Sequence, residues 1–213
     1  MESVAHPSLD TPLIEHLTDL GQARQIALGC VRCDLAATRT QVVFGEGVPT
    51  ARLMLVGEGP GAEEDRQGRP FVGRAGQLLD AAIAQAGLSR DQVYVTNVVR
   101  CRPVKVSDAH LENRPPRAGE IGACRVWMDA ELRLVAPRAL LCLGAVAAKA
   151  LIDKDLRLLE ARGQWLSGPR GIAALATLHP SYVLRQRDPE ARDRARRMLV
   201  EDLSLAARAL TPA

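Results

Sequence analysis

The run Leu53-Met54-Leu55-Val56 breaks abruptly into Gly57-Glu58-Gly59-Pro60-Gly61. An apolar stretch ending on glycine and proline reads as a buried strand entering a tight turn. Similar stretches recur at 93–96, ending at Asn97, at 139–143, closed by Gly144, and at 172–178, ending at His179-Pro180. Between and around them the apolar residues fall at helical spacing, over 11–28, 73–87, 118–135, 145–151 and 189–210. Strands alternating with helices require a mostly parallel sheet covered on both faces. The expectation is an α/β fold: a three-layer α/β/α domain with a central, mostly parallel four-stranded sheet. No repeat or long linker divides it, so 1–213 reads as one domain with flexible ends at 1–10 and 211–213. Residues 100–117, rich in Arg and Pro, read as irregular.

In an open α/β sheet, ligands sit beyond the carboxyl ends of the strands. Glu58, Asn97 and His179 each follow a strand, so they would share one crevice. The turn after the first strand has glycines suited to a phosphate cradle. Its charges oppose that use: Glu58, Glu63, Glu64 and Asp65 crowd it with no Lys in the loop. A phosphate about 5 Å from one carboxylate is repelled by roughly 3 kcal/mol at an effective dielectric of about 20. The loop therefore suits developing positive charge, proton transfer or water activation, and it equally suits a solvated acidic turn.

Hydrophobic residues make up 47% of the chain and charged ones 25%, as in a soluble globular protein. No apolar run reaches the roughly 20 residues that span a membrane, and 1–10 lacks the basic start and apolar core of a secretory signal. A cytoplasmic protein is expected. The net charge of +3 permits nucleic-acid binding without requiring it. Arginines gather late in the chain, from Arg185 to Arg197, with acidic residues interleaved as on a solvated helix face.

The cysteines number five, which argues against a disulfide framework in a cytosolic setting. Cys30 and Cys33 form a C-x-x-C pair, while Cys101 and Cys124 are single and distant. Cys142 sits within a strand core and reads as an inert small hydrophobe. Thiolates select zinc or iron–sulfur. A zinc ribbon usually brings two C-x-x-C pairs, and this chain has one.

Several segments together resemble the family-4 uracil-DNA glycosylases. They are Gly57-Glu58-Gly59-Pro60-Gly61 with Glu64-Asp65, Arg69-Pro70-Phe71-Val72-Gly73-Arg74-Ala75-Gly76-Gln77, Tyr94-Val95-Thr96-Asn97-Val98-Val99-Arg100-Cys101-Arg102-Pro103, and His179-Pro180-Ser181-Tyr182-Val183-Leu184-Arg185. The resemblance spans roughly 20–205. It implies hydrolysis of the N-glycosidic bond of deoxyuridine in DNA, as in base excision repair, by a monomer acting on single- or double-stranded DNA.

It also implies roles. Phe71 would stack on the extruded base, and Asn97 would read its edge, donating to O4 and accepting from N3–H. His179 would donate to O2 as negative charge builds on the leaving base, and Glu58 would position water or stabilise the cationic sugar. Gly59 would line the base site, and Glu64 would crowd the C5 edge and reject thymine. Leu184 would act as a wedge beside Arg185, and Arg69, Arg74 and Arg102 would face phosphates. Cys30, Cys33, Cys101 and Cys124 would hold a [4Fe–4S] cluster, with zinc as the alternative.

The chain departs from the family pattern between Cys101 and Pro115, where its loop is longer. A related branch carries there a longer basic loop with a His that becomes attached to the sugar. This chain has His110 in that region, Asn113 at the attacking position, and Gly59 where that branch has Gln. The expectation is ordinary hydrolysis; capture through His110 and a non-catalytic iron–sulfur nucleic-acid-binding protein are the alternatives.

Overall fold

The computed structural model describes residues 14–107 and 110–210, so the expectations for 1–10 and 211–213 lie outside the described residues. Its centre is a sheet of four parallel strands, β2 (Leu53–Gly57), β3 (Val93–Asn97), β6 (Ala139–Leu143) and β8 (Ala173–Thr177). Two-residue strands β1 (Glu46–Gly47) and β7 (Leu166–Ser167) add antiparallel edges, giving the order β1-β3-β2-β6-β8-β7. Such short edges leave no alternating pattern to read, which is why the sequence suggests four strands and not six.

The central strands are apolar throughout because both faces are covered. Along β2, Met54 and Val56 face one core cluster with Trp127, Met128, Ala147 and Ala148, while Leu53 and Leu55 face a second with Leu79, Ile83, Leu199 and Leu203. The first cluster is closed by α1 (Leu20–Leu28), α4 (Ala118–Val135) and α5 (Ala145–Leu151). The second is closed by α3 (Arg74–Gln85) and α8 (Pro189–Leu210). The domain therefore has three layers, as expected.

The short helices α2 (Ala62–Gln67), α6 (Leu158–Ala161) and α7 (Pro180–Arg185) lie in the connections and carry no long periodicity. Two expectations are corrected. The helix read over 11–28 is interrupted at 17–19 and runs continuously only from Leu20, where Asp19 Oδ1 caps it by accepting from the Gln22 amide. Within 100–117, strands β4 (Val104–Ser107) and β5 (His110–Asn113) pair as an antiparallel hairpin, with Val104 opposite Asn113. Its strands are short and largely solvent-facing, so burial does not impose an alternation strong enough to stand out from the flanking Arg and Pro residues.

Register sets the geometry of the site. Gly57 is level with Asn97, and Leu143 with Thr177. The three turns that follow β2, β3 and β8 consequently open on the same edge.

Candidate active site

Those turns border a cleft of about 750 Å³ whose lining includes Glu58, Phe71, Asn97, Asn113, His179 and Tyr182. The three strand-end residues named from sequence thus share one crevice. Burial raises the Glu58 carboxyl above the ordinary carboxylate range, partly offset by the positive charge of Arg185. Among the described residues, burial and the charge of Arg185 are what act on it.

Phe71 is buried, and its backbone lies in the left-handed region at φ 54°. A bulky residue there carries strain of about 1–3 kcal/mol that its surroundings must hold. Glu64 supplies that hold. Its Oε1 accepts from the amides of Val72 (3.0 Å) and Gly73 (2.8 Å), and its Oε2 accepts from the Gly61 amide (3.1 Å). One carboxylate therefore clamps the start of α2 to the loop that carries Phe71. On the far side, a Cβ on Gly76 would lie 1.9 Å from the Phe71 carbonyl oxygen, so only glycine fits.

His179 caps α7. Its Nδ1 accepts from the Ser181 amide at 3.1 Å and lies 2.7 Å from Ser181 Oγ. Arg185 Nη1 donates to that Oγ at 3.0 Å, which leaves the hydroxyl proton to Nδ1. The bond network assigns the neutral tautomer with its proton on Nε2. Burial first, then the charge of Arg185, lowers the His179 pKa to about 4. The imidazole is neutral at pH 7 and lies 5.9 Å from the Phe71 ring, centroid to centroid, at 32°.

Asn97 is buried, and its Oδ1 is a buried acceptor with no partner among the described residues. An orphaned acceptor costs about 1–3 kcal/mol unless something arrives to satisfy it. Both this oxygen and the Phe71 ring press on Gly57, where a Cβ would lie 2.5 Å from Asn97 Oδ1 and 2.5 Å from Phe71 Cζ. The strand's last glycine is therefore part of the site.

A model of the uracil DNA glycosylase superfamily matches residues 44–204, a span that contains every group just described. This chain belongs to that superfamily. It is 41% identical over 181 residues to the type-4 uracil-DNA glycosylase of Thermotoga maritima, covering 83% of this chain and 87% of that protein. The type-4 uracil-DNA glycosylase of Sulfurisphaera tokodaii is 37% identical over 176 residues, covering 79% and 77%. Similarity to the type-5 uracil-DNA glycosylase of Thermus thermophilus is 37% over only 125 residues, 52% and 53% of the two chains. The type-5 uracil-DNA glycosylase of Pyrobaculum aerophilum is 34% identical over 188 residues, covering 72% and 79%, so likeness to both types runs along most of this chain.

Around the rim, Gly59, Glu64, Arg74 and Arg185 line the cleft. Leu184 and Arg102 are not part of that lining. The helical phase of α7 buries Val183, leaves Leu184 half-buried, and turns the exposed Tyr182 to the cleft. Arg102 braces the hairpin, donating from Nε to Asn113 Oδ1 (2.7 Å) and from Nη2 to the Leu111 carbonyl (3.2 Å). Arg69 is drawn to the sheet edge, where it pairs with Glu46 at 2.6 Å. The side chain of His110 and residues 108–109 lie outside the described residues. Gly57, Ser181 and Tyr182 were not singled out as site residues from sequence, and Asn113 was named only as the residue at the related branch's attacking position. Ser181 could have been, since Ser two residues after a helix-capping group commonly bonds back to it.

The four cysteines named from sequence, Cys30, Cys33, Cys101 and Cys124, border a second, small cavity together with Arg39, Arg100 and Trp127. All are free thiols, and Cys142 lies apart in the core of β6, where burial pushes its thiol up to about 12. The sulfurs of Cys30, Cys101 and Cys124 each meet an N–H donor: Trp127 Nε1 donates to Cys30 at 3.3 Å, Arg39 to Cys101 at 3.5 Å, and the Arg100 amide to Cys124 at 3.3 Å. Burial raises the thiols of Cys33 and Cys124, and that of Cys101 to about 12. Among the described residues no group of His, Cys, Asp or Glu is gathered closely enough to grip a single metal ion. The thiols ring a space; they do not converge on a point.

Proposed function

We propose that this protein hydrolyses the N-glycosidic bond of deoxyuridine in DNA, releasing uracil and leaving an abasic site in base excision repair. The observation that carries the reading is the unpartnered Asn97 Oδ1 beside the Phe71 ring, in the cleft shared with a neutral His179. Uracil N3–H satisfies that acceptor. Its flat ring covers Phe71, and its O2 meets the His179 Nε2–H.

The target base leaves the stack to enter such a pocket, at a cost of a few kcal/mol. As the bond from C1′ to N1 breaks, electrons pass into the base and positive charge builds on the sugar. The His179 proton lies where the negative charge accumulates, and a preorganised donor of this kind contributes about 3–4 kcal/mol to the transition state. Glu58, as a carboxylate, faces the cationic sugar and orients the water whose oxygen bonds to C1′. Uracil leaves as an anion and takes a proton from water. Glu64, expected to crowd the C5 edge, is committed to three backbone amides, and its role is to position Phe71. Asn113, an amide, is no nucleophile, which favours hydrolysis over covalent capture.

Arg74 and Arg185 at the rim suit phosphates, and Arg102 reaches them only through the hairpin it braces. Tyr182, exposed at the cleft, is better placed than Leu184 to fill the space the base vacates. The protein acts as a monomer on single- or double-stranded DNA in the cytoplasm; no described helix is long and apolar enough to cross a membrane. Cys30, Cys33, Cys101 and Cys124 fit a [4Fe–4S] cluster: an all-thiolate set ringing a cavity, with N–H donors to the sulfurs of Cys30, Cys101 and Cys124. When bound, it supplies a cross-link between α1, the 97–103 segment and α4, with no redox step in base removal. Zinc in the same thiolates would lack the broad visible absorbance of a cluster.

The test is uracil release from a single-uracil oligonucleotide, read as alkali-labile breaks. Asn97→Ala and His179→Ala should each lose at least about a hundredfold in rate with the fold intact. Wild-type rates in both would overturn the reading.

A further inference from the structure

Between the cleft and the cysteine cavity lies Arg100, 1% exposed and unused by the chemistry above. Its guanidinium pairs with Glu131, itself fully buried, at 2.6 Å. From Nη1 it also donates to the backbone carbonyls of Asn97 at 2.6 Å and Val98 at 3.1 Å. Its own amide donates to Cys124 Sγ at 3.3 Å, and its chain neighbour is Cys101. Its carbonyl accepts from the Val43 amide at 2.8 Å, and Glu131 Oε1 accepts from the Gly45 amide at 3.0 Å. A single residue thus grips the peptide of Asn97 with its side chain and the rim of the cysteine cavity with its backbone.

A buried ion pair is a poor device for stability, because apolar residues of the same volume usually do as well or better. What it does well is fix one arrangement. The turn after β3 has to hold the Asn97 amide against Gly57 and Phe71, and the carbonyls of Asn97 and Val98 lie where β3 ends. Without Arg100 they would be buried acceptors free to rotate.

We infer that Arg100 is a positioning residue that makes the pose of Asn97 depend on the cysteine cavity. This rests on the reading of Asn97 as the residue that reads the base. Anything that loosens Cys101 and Cys124 moves Arg100, and Arg100 carries the Asn97 peptide with it. The coupling is reciprocal: a base held by Asn97 steadies the cysteines.

Two variants of the whole protein test it. Arg100→Met with Glu131→Leu removes both charges at conserved volume, the exchange buried pairs tolerate. Arg100→Lys keeps the charge but cannot span Glu131 and two carbonyls at once. Uracil release should fall about a hundredfold in the first and about tenfold in the second, with binding to uracil-free duplex unchanged. In an Asn97→Ala background the same exchanges should cost less than about threefold, as expected of groups acting through one another. Equal losses in both backgrounds overturn the coupling alone, whereas full activity of Asn97→Ala by itself overturns the base-reading role and the coupling together. The second readout is iron lost to a chelator. Saturating free uracil should slow it severalfold in the wild type and not in Arg100→Lys; the same slowing in both overturns the link to the cysteines.

Discussion

The cleft and the cysteine cavity are built from opposite choices about hydrogen bonds. In the cleft a chemistry-bearing atom is left open: Asn97 Oδ1 has no partner among the described residues, and Glu58 is held by burial beside the charge of Arg185. In the cysteine cavity the sulfurs of Cys30, Cys101 and Cys124 already meet an N–H. Open groups in a rigid frame await a ligand that comes and goes. Satisfied groups await an occupant that stays. The contrast teaches where each region should be vulnerable: the cleft to added atoms, the cysteine cavity to missing ones.

The sharpest way to break that contrast is to add one methyl group to the cleft. Gly57→Ala places a Cβ 2.5 Å from both Asn97 Oδ1 and Phe71 Cζ. Uracil release should fall at least about a hundredfold, with affinity for uracil-free duplex unchanged, because a misplacement of about 1 Å is enough for that loss. Unimpaired release would mean the base does not sit over Gly57.

Glu64→Ala removes the hold on Phe71. Thermal or denaturant unfolding should show about 2–3 kcal/mol less stability, since three amides lose a charged acceptor. Uracil affinity, measured by titration with the free base, should weaken as well.

The pH profile separates the two titrating groups of the cleft. The rate should fall with decreasing pH first as Glu58 is protonated, above the ordinary carboxylate range, and again as His179 is protonated near 4. Glu58→Gln should leave only the lower step. The same His179 shift predicts a loss of stability. Its folded pKa, about 4, is below the ordinary imidazole value of 6.5, so no penalty exists above 6.5. As pH falls from there toward 4 the unfolded chain takes up the proton first, and about 3 kcal/mol is lost progressively. Glu58, raised on folding, contributes with the opposite sign: its stabilisation is present at low pH and fades as pH rises through its folded pKa. Urea midpoints of wild type and His179→Gln across this range should diverge below 6.5.

The smallest effect belongs to the cysteine cavity. Trp127→Phe deletes the donor to Cys30 and should cost about 1 kcal/mol of stability while speeding iron release to a chelator a few-fold. No change in iron release would show that the satisfied sulfurs do not matter as a set.

Much of this was legible in the chain. Burial on both faces leaves apolar runs for β2, β3, β6 and β8, and a residue after each run marks the crevice, so Glu58, Asn97 and His179 could be brought together from one dimension. Other features are written in contacts that sequence does not display. Glu64 looks like one acidic residue among several, and only its reach to amides eight and nine residues onward reveals its work. The spacing from Gly61 to Glu64 at the start of α2 was the available sign, since a carboxylate three residues into a helix commonly bonds back to the cap. Tyr182 and Leu184 exchange prominence because α7 winds after Pro180 and turns one outward and the other aside. Arg100 stands in a segment with many arginines, and only burial singles it out.

The unusual backbone of Phe71 has a kinetic consequence. A ring kept ready by an internal tether requires no loop to settle after DNA arrives. On the proposed reading, an extruded base meets its platform at first contact, and inspection of each nucleotide is then limited by how fast the base swings out and not by how fast the protein rearranges.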